Sequence, residues 1–173
     1  MSADKPITHA EPIVLADEPD PDNPGWYRWE LSEADCYNSF LGPIIVRRGG
    51  DGVADNIARV RMTPQKRHRN LGDVVHGGAL AGFIDCSLFA AMRALDIGPS
   101  GFALTVELQT HFIGAAQLDE PIEARVEVTR ETGRFLFLRG LIVQGEASDN
   151  HAENKASFTA IVKKPSPQAA PSQ

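Results

Sequence analysis

The residues best suited to chemistry lie in one stretch, where two glycines open a long apolar run. His76, Gly77 and Gly78 come first, and one carboxylate, Asp85, follows eight positions after Gly77. Backbone N–H groups at a helix start lack partners within the helix and sit at the positive end of its dipole. Such groups suit an anion, or a carbonyl oxygen that is becoming one. A carboxylate inside an apolar helix is costly unless it is paired or faces a cavity. The pattern therefore indicates a site for attack on a carbonyl group.

Each of these features has an ordinary explanation when it occurs alone. A Gly-Gly pair before a helix is most often a flexible turn, and a single Asp in a helix is most often exposed to solvent. Here both occur on one apolar helix, with Asn70 and His76 just upstream. The combination favours a functional site over a turn and a surface acid.

The run from Asn70 through His76, Gly77 and Gly78 to Asp85 resembles the signature of hotdog-fold acyl-CoA thioesterases. The likeness is to the branch related to phenylacetyl-CoA and 4-hydroxybenzoyl-CoA thioesterases. It implies hydrolysis of an acyl-CoA thioester to the free acid and coenzyme A, with no further cofactor. The Gly77 N–H would donate to the oxyanion, and Asp85 would act as general base or, alternatively, as nucleophile.

The resemblance also implies roles for neighbouring residues. Asn70 would hold the water or the carbonyl, and His76 would contact the thioester or else shape the loop. Thr105, on the strand after the helix, matches a position where the family often orients water. The residues expected to bind substrate are Gly78, Lys66, Arg67, Arg69 and Phe89.

A basic cluster at 66–69 directly precedes Asn70. Beside a thioester site these charges can attract the phosphates of coenzyme A. The ordinary alternative, a solvated surface loop, remains open from sequence alone.

The family forms its site between two subunits, with the Asn, His and Gly from one and the acid from the other. The resemblance therefore implies a homodimer, often paired into a homotetramer. Two other functions stay open: a hotdog-fold hydratase or dehydratase, and a non-catalytic protein that binds acyl-CoA.

Composition excludes several other classes. The chain has 173 residues, enough for one domain with a full core, and its net charge of −6 argues against a nucleic-acid partner. The long apolar helix contains Asp85, which argues against a membrane span, and no apolar signal region opens the chain. The two cysteines, Cys36 and Cys86, indicate reduced thiols and a cytoplasmic protein. The five histidines show no ligand spacing, so no metal site is expected.

Apolar residues at spacings of three and four predict one buried helix over 77–95. An extended piece over 26–31 and a short helix starting at Ser32 are expected before it. The predicted strands are 44–48, 53–62, 102–113, 121–131, 134–145 and 151–163. The fold class is therefore α+β, and the resemblance makes it a hotdog fold: a curved antiparallel sheet of about six strands around one long central helix.

Composition also divides the chain. Residues 1–24 are rich in Pro and Asp and are expected to form a mobile arm. Residues 25–163 form the predicted hotdog domain, and 164–173 a disordered tail.

Two predicted strands show alternation that assigns side chains to faces. In the strand over 53–62 the apolar residues should face the core, and Arg59 and Arg61 the solvent. In the strand over 102–113, one face should carry Leu104, Val106 and Leu108, and the other Thr105, Glu107 and Gln109.

Overall fold

The computed structural model describes residues 18–29, 36–97, 103–145 and 152–164. Most of the N-terminal arm, the predicted helix start at 32–35, the turns at 98–101 and 146–150, and nearly all of the tail lie outside these ranges.

The described residues form seven strands, two α-helices and one 3₁₀ turn. In chain order they are β1 (Tyr27–Arg28), α1 (Tyr37–Leu41), β2 (Ile44–Gly50), β3 (Val53–Met62), the 3₁₀ turn (Lys66–His68), α2 (Gly77–Ala94), β4 (Leu104–Phe112), β5 (Ile122–Glu131), β6 (Phe135–Gln144) and β7 (Glu153–Lys163). The long helix and the six main strands lie where the sequence predicts them.

The strands form one antiparallel sheet in the order β1-β2-β3-β5-β6-β7-β4. The predicted α+β class and hotdog fold are confirmed. The sheet has one strand more than the six expected, because Tyr27 pairs with Val46 and adds β1 at one edge. The strand after the long helix, β4, forms the opposite edge.

The helix α2 packs on the sheet and supplies the centre of the core. Phe83, Ile84 and Leu88 are fully buried there, against sheet residues such as Val60 and Ile122. Apolar residues three and four apart create one continuous stripe, and burying that stripe stabilises the helix more than its intrinsic propensity does. In the part of the chain that the structure describes, no helix is long and apolar enough to cross a membrane.

The outer face of the sheet contains a buried arginine, which corrects the expectation for β3. Arg59 was expected to face solvent but is fully buried. Its guanidinium donates to Glu123 at 2.9 Å and to Asp51 at 2.8 Å, and Trp26 covers it at 5.2 Å. Trp26 and Trp29 are both buried against the body of the protein. The acids and the Trp26 ring together explain how a charge is tolerated there.

A bulge in β4 changes the side-chain faces that were expected for the strand over 102–113. The pairing of β4 with β7 shifts register between Thr105 and Glu107. Leu104 and Val106 are about half exposed, at 49% and 58%, whereas Leu108 packs against the core. A bulge places an extra residue in one strand and so changes the face of the residues on one side of it. The three apolar residues therefore do not form the single face that the alternation indicates.

Candidate active site

The entry to α2 is capped by a histidine. The Nδ1 atom of His76 accepts a hydrogen bond from the Gly78 N–H at 2.8 Å, so His76 is the N-cap. Its own N–H donates to the His68 carbonyl oxygen at 2.7 Å. Because Nδ1 is an acceptor, the proton of the neutral ring lies on Nε2, which stays available as a donor. The expectation of open N–H groups must be corrected for Gly78, since that N–H is occupied by the cap.

Gly77 differs from Gly78 in the hydrogen bonding of its N–H and in the space around its Cα. Within the described residues, no group accepts a hydrogen bond from the Gly77 N–H. A Cβ at position 77 would lie 3.4 Å from the ring of Phe112, which is an ordinary contact. A Cβ at position 78 would lie 3.0 Å from His76 Nδ1, which is tight. The second glycine is therefore needed for the His76 cap, and the first leaves a donor at the positive end of a helix.

Asn70 shapes the loop that leads to this helix. Its Oδ1 atom accepts hydrogen bonds from the Gly72 N–H at 2.7 Å and the Val74 N–H at 3.4 Å, an Asx turn. Its backbone N–H donates to the Val74 carbonyl oxygen at 2.8 Å. The side-chain oxygen is thus committed to the loop, and the amide NH₂ is the part of Asn70 that can reach a substrate.

Asp85 is held by the strand after the helix. The hydroxyl of Thr105 donates to Asp85 Oδ1 at 2.6 Å, and both residues are half-buried. The hydroxyl fixes one carboxylate oxygen and leaves Oδ2 to accept a proton. The structure thus brings Asp85 and Thr105 together, although they stand twenty positions apart.

Sequence reasoning missed α1 as a neighbour of Asp85. Tyr37 lies against Gly82, and Asn38 Oδ1 lies 3.5 Å from the Cys86 thiol. Burial raises the pKa of Cys86 to about 12, so its thiol stays protonated at neutral pH. No sequence signal links α1 to α2, because the contact spans more than forty residues.

The two principal candidates, Gly77 and Asp85, are not brought together within one chain. They are eight residues apart on one continuous helix. At 1.5 Å per residue they are separated by about 12 Å along the helix axis. An oxyanion donor and a base that act on one carbonyl must both lie about 3 Å from the reacting atoms. One copy of α2 therefore cannot supply both groups to the same thioester.

One residue of the basic cluster is buried in the fold, and the other three are exposed. His68 is buried, and its ring contacts the Phe40 carbonyl oxygen at 2.8 Å and the Gln65 N–H at 2.9 Å. Arg69 pairs with Asp73 at 2.6 Å in an exposed ion pair. Lys66 and Arg67 are exposed.

Two clefts of similar size on the described surface differ in the residues that line them. The first, of about 410 Å³, is lined by Arg69, Asn70, Leu71, Asp73 and His76. It therefore joins the basic loop to the start of α2. The second, of about 380 Å³, lies between the segment before β1 and the β2–β3 strands, and none of the candidate residues line it. We therefore assign the site to the first.

Phe89 is partly buried against the core.

Within the described residues, no cluster of three His, Cys, Asp or Glu side chains could hold a metal ion. The candidate residues themselves offer a backbone donor, a carboxylate, a hydroxyl and an imidazole.

Comparison with known proteins places the candidate residues in a family context. The family model of the thioesterase superfamily matches residues 72–149, which include His76, Gly77, Asp85 and Thr105. The match begins two residues after Asn70. No curated protein matches the sequence significantly.

Solved structures of low sequence identity share the fold. The PaaI protein of the E. coli phenylacetic acid degradation operon is 18% identical, covers 78% of this chain and 86% of its own, and superposes with a TM-score of 0.60. Thioesterase superfamily member 2 from Mus musculus is 13% identical over 73% of this chain and 86% of its own, with a TM-score of 0.58. A hypothetical thioesterase from Streptococcus pneumoniae, solved with coenzyme A, is 16% identical over 64% and 82%, with a TM-score of 0.54.

Proposed function

We propose that this chain, which belongs to the hotdog-fold thioesterase superfamily, hydrolyses an acyl-CoA thioester to the free acid and coenzyme A. The observation that carries the proposal is the start of α2. There the His76 ring occupies the Gly78 N–H, and the Gly77 N–H has no described acceptor. A free donor at the positive end of a helix stabilises the oxyanion formed when a thioester carbonyl is attacked.

The remaining residues complete the reaction. Asp85, oriented by the Thr105 hydroxyl, takes a proton from water as the water oxygen bonds to the carbonyl carbon. The tetrahedral intermediate then collapses, the carbon–sulfur bond breaks, and the thiolate of coenzyme A recovers the proton. We propose that the His76 Nε2–H donates to the thioester or its leaving sulfur. If Asp85 acts instead as nucleophile, an enzyme anhydride forms first and water hydrolyses it.

We propose that the site is built from two copies of the chain. Gly77 and Asp85 of one chain are too far apart for one carbonyl, so we infer that Gly77 of one subunit faces Asp85 of another. The edge strand β4 supports such an assembly, because Val106, Phe112 and Leu104 are about half exposed along it. An apolar, unpaired sheet edge is a surface that another strand can cover. We propose a homodimer as the smallest active unit, and pairing of two dimers would give the homotetramer.

The nucleotide end of the substrate is assigned to the basic loop. Arg69 lines the cleft that opens beside Asn70 and His76, and Lys66 and Arg67 are exposed two and three positions before it in the chain. Arg69 forms an ion pair with Asp73, so most of the positive charge that is not neutralised nearby is on Lys66 and Arg67. We propose that these charges meet the phosphates of coenzyme A.

The proposal is tested by removing one backbone donor. Gly77 is the first residue of α2, where proline is accepted because its missing N–H has no helical partner. Gly77→Pro removes the candidate donor, and Gly77→Ala keeps it while adding a Cβ that space allows. We expect Gly77→Pro to lower kcat by about 10²- to 10³-fold and Gly77→Ala to stay within a few-fold of wild type.

Release of coenzyme A from a panel of acyl-CoA esters, followed with a thiol reagent, gives the rates. Equal loss in the two variants would show that the N–H has no role. Wild-type protein that binds acyl-CoA without turnover would identify a binding protein, and hydration of an enoyl-CoA would identify a hydratase.

Complementation tests the shared site. Gly77→Pro and Asp85→Asn chains, carrying different tags and purified as a mixed dimer, contain one site with both residues intact. We expect each parent dimer to be nearly inactive and the mixed dimer to recover about half of wild-type activity. A mixed dimer as inactive as its parents would place both residues in the same chain and refute the shared site.

A further inference from the structure

The helix α1 places an aromatic side chain beside the candidate base. Gly82 precedes Asp85 by three residues, so the two lie on neighbouring parts of one helix surface. Any Cβ at Gly82 would collide with the hydroxyl and ring of Tyr37. Asp85 therefore has the Thr105 hydroxyl of β4 as a hydrogen-bond donor and the ring of Tyr37 about one turn away along α2.

The ring of Tyr37 is supported by a series of contacts that leads back to the entry of α2. Its centroid lies 5.9 Å from that of Phe40, whose ring meets the His68 ring edge-on at 5.1 Å. His68 is buried, and its carbonyl oxygen accepts from the His76 N–H. Such aromatic contacts favour one ring arrangement over others. Tyr37 is thus held in place although it is 52% exposed.

The exposed ring lies against α2 at Gly82, about one helical turn before Asp85. Burial is the main cause of a raised pKa for Tyr37, and the negative charge of Asp85 adds to it. Its hydroxyl makes no hydrogen bond to a described residue. The residue beneath the ring is a glycine, so the ring covers a part of α2 that carries no side chain.

We propose that Tyr37 is a specificity-determining residue, whose ring covers α2 about one helical turn from Asp85 and limits the length of the acyl chain that the site accepts. The inference rests on the proposed thioesterase function. It assigns acyl selection to α1, which lies outside the residues matched by the superfamily model.

The test compares straight-chain acyl-CoA esters from acetyl to palmitoyl. Tyr37→Ala should move the optimum of kcat/KM to longer chains and raise kcat/KM for the longest esters by about 10-fold or more. Tyr37→Phe keeps the ring and should keep the wild-type profile. Tyr27→Ala is the matched control, since Tyr27 is 47% exposed on β1, at the opposite edge of the sheet from β4. Its profile should equal that of wild type.

The outcomes separate this inference from the proposed function. If wild type hydrolyses the series and Tyr37→Ala leaves the profile unchanged, the assignment of Tyr37 is wrong and the thioesterase function stands. If wild type hydrolyses none of the esters, the function fails, and calorimetric binding of the same esters decides on Tyr37. Tighter binding of long esters by Tyr37→Ala than by wild type would support the assignment of Tyr37, and equal binding by the two proteins would overturn it.

Discussion

Replacing Thr105 by Val tests how the structure positions the candidate base. Val keeps the shape and the strand preference of Thr and removes only the hydroxyl that donates to Asp85 Oδ1 at 2.6 Å. A hydrogen bond to a charged group contributes about 1.5 to 3 kcal/mol. Both side chains are half-buried, so the lower end applies. At about 1.4 kcal/mol per factor of ten, we expect kcat to fall about 10-fold.

The effect should depend on Asp85 being present. Asp85→Asn alone should lower kcat by about 10³-fold, because the base is lost while the packing is nearly unchanged. If Thr105 acts through Asp85, adding Thr105→Val to Asp85→Asn should cost less than about 2-fold more. Coenzyme A release under saturating acyl-CoA gives all four rates of this double-mutant cycle.

Thr110→Val is the matched control on the same strand. The Thr110 hydroxyl is buried and has no hydrogen-bond partner among the described residues. Removing it should leave kcat within about 2-fold and keep or raise the melting temperature. The reasoning is refuted if Thr105→Val turns over like wild type, or if it loses the same factor with and without Asp85.

Two further predictions concern charged groups. Changing Lys66 and Arg67 together to Ala should raise KM for acyl-CoA and leave kcat within about 3-fold, because contacts to a remote phosphate act on binding. Hydrolysis of an acyl-pantetheine thioester, which has no nucleotide, should be unchanged. An unchanged KM for acyl-CoA would show that the two side chains are solvated and do not bind the phosphates. Burial raises the pKa of Glu123, but hydrogen bonds from Arg59 and Arg125 outweigh it and hold the pKa below the ordinary 4.5. The ionised form therefore stabilises the fold, and the free energy of unfolding in urea should fall as pH drops below 4.5 through the lower folded pKa. Glu123→Gln should cost about 3 to 5 kcal/mol at neutral pH and weaken that acid dependence, and an unaltered acid dependence would contradict the assignment.

Local pattern was sufficient for the α+β class and for the residues at the start of α2, and the family resemblance supplied the hotdog architecture. Helical periodicity is visible within a few turns, and so the buried helix and its Asp85 could be found from the sequence. The spacing of Asn70, His76 and Gly77 is local as well, because all three lie within eight residues. Which donor is open was not readable, since the His76 ring caps Gly78 and His is not among the usual capping residues.

Only the tertiary structure decided the contacts between distant segments. Alternation along β4 indicated one apolar face, but a bulge after Thr105 reassigned it and turned that hydroxyl to Asp85. Alternation along β3 placed Arg59 in solvent, yet Trp26 and two acids enclose it. Tyr37 had no sequence signal, because its partner Gly82 lies on another helix. Periodicity reports which side of its own element a residue occupies, and the neighbour on that side is set by how elements far apart in the chain pack together.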